Sequence, residues 1–168
     1  FRLLSPFYGR TDLMADNFNQ RFFDHKTYGD LLEKNSRPYI IIHTADMSRG
    51  SRIGFTQGLF DLFYSDLSAY PIGNAVAASA AFPGLLAPTT LINHPKPETF
   101  IPPEWVTLEQ SRPASIIPDD PTYYLDKGHP YIHVVDGGVS DNLGLLPIIM
   151  GMDGRFSDDK IAMAAPDK

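Results

Sequence analysis

An acidic residue followed by two glycines, Asp136-Gly137-Gly138, ends the most strand-like segment of the chain. The preceding residues 131–135 read Tyr-Ile-His-Val-Val, an apolar and partly β-branched run that predicts a buried strand. The two glycines let other groups approach the backbone closely where this strand ends. In open α/β sheets, ligand sites lie at the carboxyl ends of strands, so Asp136 is a candidate for chemistry. The alternative is a simple Asp-Gly turn.

A second informative segment, residues 71–88, is rich in alanine. Pro71 suits the first turn of a helix and Pro83 ends one, so the pattern predicts a helix between these two prolines. The small side chains would let neighbouring elements approach this helix closely. Such packing also fits a helix beside an active site, where bulky residues would fill the substrate space.

The run Ala75-Val76-Ala77-Ala78-Ser79-Ala80-Ala81-Phe82-Pro83-Gly84, followed tens of residues later by a strand ending in Asp-Gly-Gly, resembles the patatin-like phospholipase family of lipid acyl hydrolases. The resemblance covers most of the chain, although residues 93–130 match only loosely. It implies hydrolysis of ester bonds in phospholipids or other acyl lipids by a Ser-Asp dyad, with no cofactor and no metal. Asp136 would be the catalytic acid, and Gly137 and Gly138 would support it.

The nucleophile of that family, a serine in G-x-S-x-G on a sharp turn, does not occur in this sequence. The nearest pattern, residues 50–54, has its serine in the wrong place, and no run of three glycines offers an oxyanion loop. We therefore expect residues 1–168 to be a single, incomplete patatin-like catalytic domain that lacks the first strands and the nucleophile elbow. Alone, this chain is expected to be inactive as a hydrolase.

The fold that the resemblance implies is α/β, with three layers and a mainly parallel central sheet. Residues 39–44 form a continuous apolar run, which is typical of a parallel strand covered on both faces. Residues 52–56 predict a second, antiparallel strand. Residues 28–34 and 58–64 predict short helical segments.

The clearest helical periodicity lies near the start of the chain. Met14, Phe18 and Phe22 stand at positions i, i+4 and i+8 and form one apolar stripe, which predicts a helix over residues 11–23. Thr11 is the expected N-cap of this helix.

A proline-rich insertion occupies about residues 93–130. Eight of the chain's 15 prolines lie there, so no long helix or strand is expected. Long irregular segments in compact domains are usually functional or disordered. Trp105 and other large apolar residues favour partial order, and we hypothesise that the insertion packs over the site as part of a lipid-facing surface. A tolerated surface insertion is the alternative.

Composition excludes several classes of function. A net charge of −6 argues against a nucleic-acid partner and against strong docking on anionic lipid. The absence of cysteine excludes disulfides and thiolate zinc sites. The five histidines show no metal-binding spacing, so a zinc site is not expected. Neither G-x-x-x-x-G-K-[ST] nor G-x-G-x-x-G is present, so nucleotide binding is not expected.

Five further residues are compared with Asp136 as site candidates. Ser79 is a conceivable nucleophile, but its position within a helix favours a hydroxyl bonded to a helix carbonyl. His133 or His129 could complete a Ser-His-Asp triad, although a core or surface histidine is the simpler interpretation. Asp141 and Asn142 could support the Asp136 loop, or could cap the following segment.

Three functions therefore stand as expectations. The first is a serine-dependent lipid acyl hydrolase to which this chain supplies Asp136, with an acyl lipid or phospholipid as substrate and a membrane surface as partner. The second is a non-catalytic lipid-binding or assembly module. The third is a Ser-His-Asp esterase that uses His133. For location, the resemblance implies membrane association or export in a bacterium.

Overall fold

The computed structural model describes residues 8–33, 40–106 and 120–145. Within them the helices are α1 (Arg10–Arg21), α2 (Tyr28–Glu33), α3 (Gln57–Leu62), α4 (Ile72–Ser79) and α5 (Gly138–Asp141). The strands are β1 (His43–Asp46), β2 (Arg52–Gly54), β3 (Thr89–Ile92) and β4 (Tyr131–Asp136), and a 3₁₀ helix spans Pro121–Leu125. The predicted mixture of helices and strands is confirmed.

The four strands form one sheet in the order β2-β1-β4-β3, and each neighbouring pair is antiparallel. The expectation of a mainly parallel sheet is therefore corrected for the described strands. An apolar run predicts that a strand is buried, but strand direction depends on the connections between strands. Here β1 turns back into β2 through residues 47–51, and such a tight connection can join only antiparallel neighbours.

Residue 39 of the strand predicted at residues 39–44 lies outside the described residues, and within residues 40–44 the strand begins later than its hydrophobicity suggests. Its first paired residue is His43, which lies opposite Gly54, and Ile40 is exposed. The pairing starts where the short partner β2 ends, although the Ile42 carbonyl still accepts a hydrogen bond from the Phe55 N–H at 2.9 Å. The antiparallel strand expected at 52–56 is confirmed, with its last two residues outside the ladder.

Helix α1 is present as predicted, but a different stripe of it is buried. Its buried residues are Thr11, Ala15 and Asn19, whereas Phe22 is exposed. Gly9 is the N-cap in place of the expected Thr11. Because α1 packs closely on α4, the buried residues of α1 are small or polar, and they are not those of the predicted apolar stripe.

The contact between α1 and α4 is built on Asn19 and Gly73. Asn19 Oδ1 accepts a hydrogen bond from the Gly73 N–H at 3.0 Å, and Asn19 Nδ2 donates to Asn74 Oδ1 at 2.7 Å. A Cβ on Gly73 would stand only 2.7 Å from the Asn19 backbone nitrogen, so no larger residue fits. One buried side chain thus satisfies an N–H of the first turn of α4, where helices leave donors without intrahelical partners.

One face of the sheet carries the hydrophobic core. Cross-strand neighbours share a face, so Ile53, Leu91, Ile132 and Val134 point to the same side. They belong to a buried cluster with aromatic residues from the adjoining segments, chiefly Phe55, Phe60, Phe63 and Tyr124. Asp136 follows the same alternation and lies on this core face, at the end of β4.

In the described part of the proline-rich insertion, the 3₁₀ helix is short, and residues 104–106 are helical up to the last residue described before residue 107. Trp105 is partly buried against the core cluster, and its Nε1 would lie 3.7 Å from a Cβ placed on Gly58 of α3. Trp105 therefore contributes to the core, whereas residues 107–119 of the insertion lie outside the described residues.

Candidate functional site

The two segments that the sequence singles out meet at the end of β4. The Asp136 N–H donates a hydrogen bond to the Ala81 carbonyl at 3.0 Å, and the Gly137 N–H donates to the Ser79 carbonyl at 3.1 Å. Helix α4 ends at Ser79, so the Gly137 N–H satisfies a carbonyl at its C-terminal end, where helices leave acceptors unpaired, and the Asp136 N–H binds the segment just beyond. The end of the alanine-rich helix is thus fixed beside Asp136.

The carboxylate of Asp136 is half-buried and held from one side. Its Oδ1 accepts a hydrogen bond from the Gly138 N–H at 2.7 Å. Of the two glycines expected to orient the carboxylate, Gly138 does so directly, whereas the Gly137 N–H points to α4. Within the described ranges, Oδ2 of Asp136 accepts no hydrogen bond from the protein. One carboxylate oxygen is therefore fixed, and the other is left for a further donor.

Close approach of a backbone requires glycine at Gly137, whereas the atoms that crowd Gly138 are the ends of side chains. A Cβ on Gly137 would lie 2.5 Å from the carbonyl oxygen of His43, and a Cβ on Gly138 would lie 2.9 Å from Oδ1 of Asp136. Gly137 has φ −62°, which any residue can adopt. Space, and not backbone conformation, thus explains why glycine follows Asp136.

Asp141 and Asn142 close the loop that follows the glycines. Asp141 Oδ1 accepts a hydrogen bond from the Leu145 N–H at 3.3 Å, which is the local capping expected as one alternative. Asn142 reaches back to Gly138, where an added Cβ would lie 2.8 Å from its Oδ1. Asp141 caps the next residues, while Asn142 packs against the glycine that holds the Asp136 carboxylate.

His43, the first residue of β1, lies beneath this loop. Its carbonyl faces Gly137, and its ring lies over Gly54, where an added Cβ would be 3.3 Å from Nδ1. Burial lowers the pKa of His43 to about 4; Arg52 lowers it further, while Asp141 opposes the shift. The ring is therefore neutral at pH 7, and its Nδ1 has no hydrogen-bond partner among the described residues. No spacing of residues in the sequence predicts that β1, which is distant in the chain, lies beneath Gly137.

The structure separates His133 from Asp136. The two residues are three positions apart on β4, so their side chains lie on opposite faces of the sheet. His133 Nδ1 is 2.9 Å from the hydroxyl of Thr90, and both residues are exposed. His129 instead stacks on Tyr123, with ring centroids 4.0 Å apart. This arrangement does not assemble a His133–Asp136 pair.

Ser79 is the last residue of α4 and not a mid-helix residue as predicted. The expected bond from its hydroxyl to a helix carbonyl is not among the hydrogen bonds of the described residues. Its carbonyl, by contrast, accepts the Gly137 N–H. Ser79 therefore contacts the Asp136 loop through its backbone carbonyl.

A buried polar network, which the sequence did not indicate, occupies the opposite end of β1. Asp46 is 1% exposed, and its carboxylate accepts hydrogen bonds from the Ser48 N–H at 2.8 Å and from the Tyr124 hydroxyl at 3.1 Å. Burial raises the pKa of Tyr124, so its hydroxyl stays protonated and donates. Ser51 Oγ lies 3.4 Å from the same hydroxyl. The network ties the β1–β2 turn to the 3₁₀ helix.

Neither a metal site nor a membrane span is found in the part of the chain that the structure describes. Three or more histidine, aspartate or glutamate side chains nowhere converge there as a metal ion would require. Within the same residues, every helix is too short or too polar to cross a bilayer. Comparisons with family models, with curated proteins and with solved structures find no match to this chain.

Proposed function

We propose that this chain supplies the general base of a serine-dependent acyl hydrolase that acts on lipid esters. The observation that supports the proposal is the placement of Asp136 at the end of β4, with one carboxylate oxygen held by Gly138 and the other without a protein donor among the described residues. A carboxylate fixed by one oxygen and open at the other is suited to accept a proton from a hydroxyl placed beside it.

The reaction would proceed through an acyl-serine. The serine hydroxyl oxygen would attack the ester carbonyl carbon while its proton passes to Oδ2 of Asp136. The protonated Asp136 would then give that proton to the departing alcohol oxygen. In the second half, water would attack the acyl-serine, passing one proton to Asp136, which would return it to the serine oxygen. Gly138 would keep Oδ1 in place throughout.

The proposal includes a patatin-type catalytic domain whose nucleophilic serine lies outside these 168 residues. Its support is local: the alanine-rich helix, the Asp-Gly-Gly loop and their two connecting hydrogen bonds at 3.0 and 3.1 Å. The sheet adds no support to this proposal, because such a domain would have a mainly parallel sheet and all described pairings are antiparallel. In such a domain these four strands would form only part of the sheet.

A fluorophosphonate probe tests the proposal on the intact gene product. Mass spectrometry should map one labelled serine outside residues 1–168, and Asp136→Asn should slow hydrolysis of a p-nitrophenyl acyl ester by about 10²–10⁴-fold, as expected for loss of a general base. Asp141→Asn is the matched control, since that carboxylate caps a local turn; its rate should stay within a few-fold of wild type. Labelling at Ser79, or equal losses in both variants, would contradict the assignment.

A non-catalytic lipid-binding module is the second candidate, and the exposed apolar residues near Asp136 favour it. Phe82 and Leu85 are 60% and 63% exposed. This function predicts binding to lipid without any labelled serine. The probe experiment therefore separates the two functions directly.

A further inference from the structure

The pair Asp136-Gly137 combines a packing requirement with a chemical reactivity. A Cβ on Gly137 would lie 2.5 Å from the carbonyl oxygen of His43, so this contact needs glycine directly after Asp136. Glycine has no Cβ, and so it leaves the backbone nitrogen next to the carboxylate unshielded. An aspartate followed by glycine is for this reason the aspartate sequence most prone to react with its own backbone. The fold thus places a self-reactive pair at the candidate site.

The reaction joins two atoms of these neighbouring residues. The backbone nitrogen of Gly137 attacks Cγ of Asp136 and loses its proton, while the protonated carboxyl loses its hydroxyl. One water leaves, and a five-membered succinimide ring remains. Water then opens the ring at either carbonyl, and opening at the backbone carbonyl leaves isoaspartate, whose main chain runs through Cγ. The reaction needs no cofactor and no reactant other than water.

The structure opposes both changes that ring closure requires. The Gly137 nitrogen must release its proton, and the peptide plane must turn until this nitrogen faces Cγ of Asp136. The Gly137 N–H donates to the Ser79 carbonyl at 3.1 Å, and this hydrogen bond holds the proton and fixes the plane. The Asp136 N–H is held by the Ala81 carbonyl at 3.0 Å, and Oδ1 is held by the Gly138 N–H at 2.7 Å. The reacting atoms are therefore restrained on both sides.

Breaking the bond between Gly137 and Ser79 would disturb the core. Gly137 is buried, and Ala78 and Ala81, which stand on either side of Ser79, are fully buried. The Ser79 carbonyl cannot withdraw from Gly137 unless these alanines move, and a closely packed interior moves only in rare openings of the native state. The nitrogen is therefore able to react only in molecules that have opened where α4 meets β4.

We propose that Asp136-Gly137 is a latent isoaspartate site, which the hydrogen bond from Gly137 to Ser79 keeps unreactive until α4 separates from β4. The extent of modification measures how often this junction opens. Modification also displaces the carboxylate, because isoaspartate lengthens the main chain by one carbon and shortens the side chain by one. The inference does not rest on the proposed function, since it needs only the pair and its contacts.

Ageing of the intact gene product near neutral pH, in buffer and in guanidinium chloride, tests the inference. Labelling with an isoaspartate-specific methyltransferase, followed by peptide mapping, measures isoaspartate at position 136. It should accumulate at least about tenfold more slowly in buffer, since an opening free energy of about 1.4 kcal/mol already keeps about nine molecules in ten closed. The other Asp-Gly pair of the sequence, Asp153-Gly154, is the reference in guanidinium, where both pairs should react at comparable rates.

Two variants connect the rate of modification with the packing of α4. Gly73→Ala places a Cβ 2.7 Å from the backbone nitrogen of Asn19, which destabilises the α1–α4 contact, so isoaspartate at position 136 should form faster in buffer. Gly58→Ala meets Trp105 at an ordinary 3.7 Å and should keep the wild-type rate.

Two results would overturn the inference. They are equal rates at position 136 for the wild-type protein in buffer and in guanidinium, and a Gly73→Ala protein that reacts at the wild-type rate. If Gly73→Ala does not fold, its rate in buffer should equal that of the denatured wild type, and a slower rate would contradict the inference as well.

Discussion

The Asp136 backbone N–H donates a hydrogen bond to the carbonyl oxygen of Ala81 at 3.0 Å. This bond joins the end of β4 to the segment just after α4, although the two residues are far apart in the sequence. Together with the bond from Gly137 to Ser79, it fixes the candidate base against the alanine-rich helix. The position of the carboxylate therefore depends on how closely these backbones approach each other.

Gly137→Ala should destabilise the protein by about 1–3 kcal/mol, the usual cost of overpacking a close contact. The added Cβ would stand 2.5 Å from the His43 carbonyl oxygen, a backbone atom that can move only with β1. Urea unfolding measures the change. Gly58→Ala is the control: its Cβ would lie an ordinary 3.7 Å from Trp105, so it should be neutral or stabilise α3 by up to about 1 kcal/mol. Equal stability of the two variants would contradict this packing.

Tyr124→Phe should cost about 1–3 kcal/mol, because it removes a donor from the buried carboxylate of Asp46. The bond is 3.1 Å long and connects the β1–β2 turn with the 3₁₀ helix. Tyr123→Phe, one residue away and only partly buried, provides the comparison and should change stability by less than about 0.5 kcal/mol. Chemical denaturation of both variants measures their free energies of unfolding. A Tyr124→Phe protein as stable as wild type would show that the network does not stabilise the fold.

Acid should weaken the fold through His43. In the unfolded chain a histidine titrates near its ordinary value of 6.5, whereas the folded pKa is about 4. Between these values the unfolded state binds a proton that the folded state excludes. The stabilisation is therefore complete above pH 6.5 and is lost as the pH falls toward 4.

Unfolding free energies measured at pH 7, 6 and 5 should show this loss in wild type and a smaller loss in His43→Leu. Since part of the ring is open to solvent, the difference between pH 7 and pH 5 should be on the order of 1 kcal/mol after allowance for screening. His133→Gln, which changes an exposed histidine elsewhere on the sheet, is the control for the substitution itself. Parallel pH profiles for wild type and His43→Leu would show that His43 is not the titrating group.

The sequence by itself determined the local elements around the site. The apolar run before Asp136 became β4, and the segment after Pro71 became α4, because strand and helix formation depend on residues that are neighbours in the chain. The short 3₁₀ helix in the described residues between 93 and 130 likewise follows from proline chemistry.

Only the tertiary structure decided the direction of the strands, the buried face of α1 and the neighbours of Asp136. The antiparallel sheet, the Asn19–Gly73 contact and the His43 carbonyl beneath Gly137 all join residues far apart in the chain. Such contacts form where two backbones can pack closely and where hydrogen-bond donors lie next to acceptors. Hydrophobic periodicity indicates which residues are buried, but it does not indicate which distant segment packs against them.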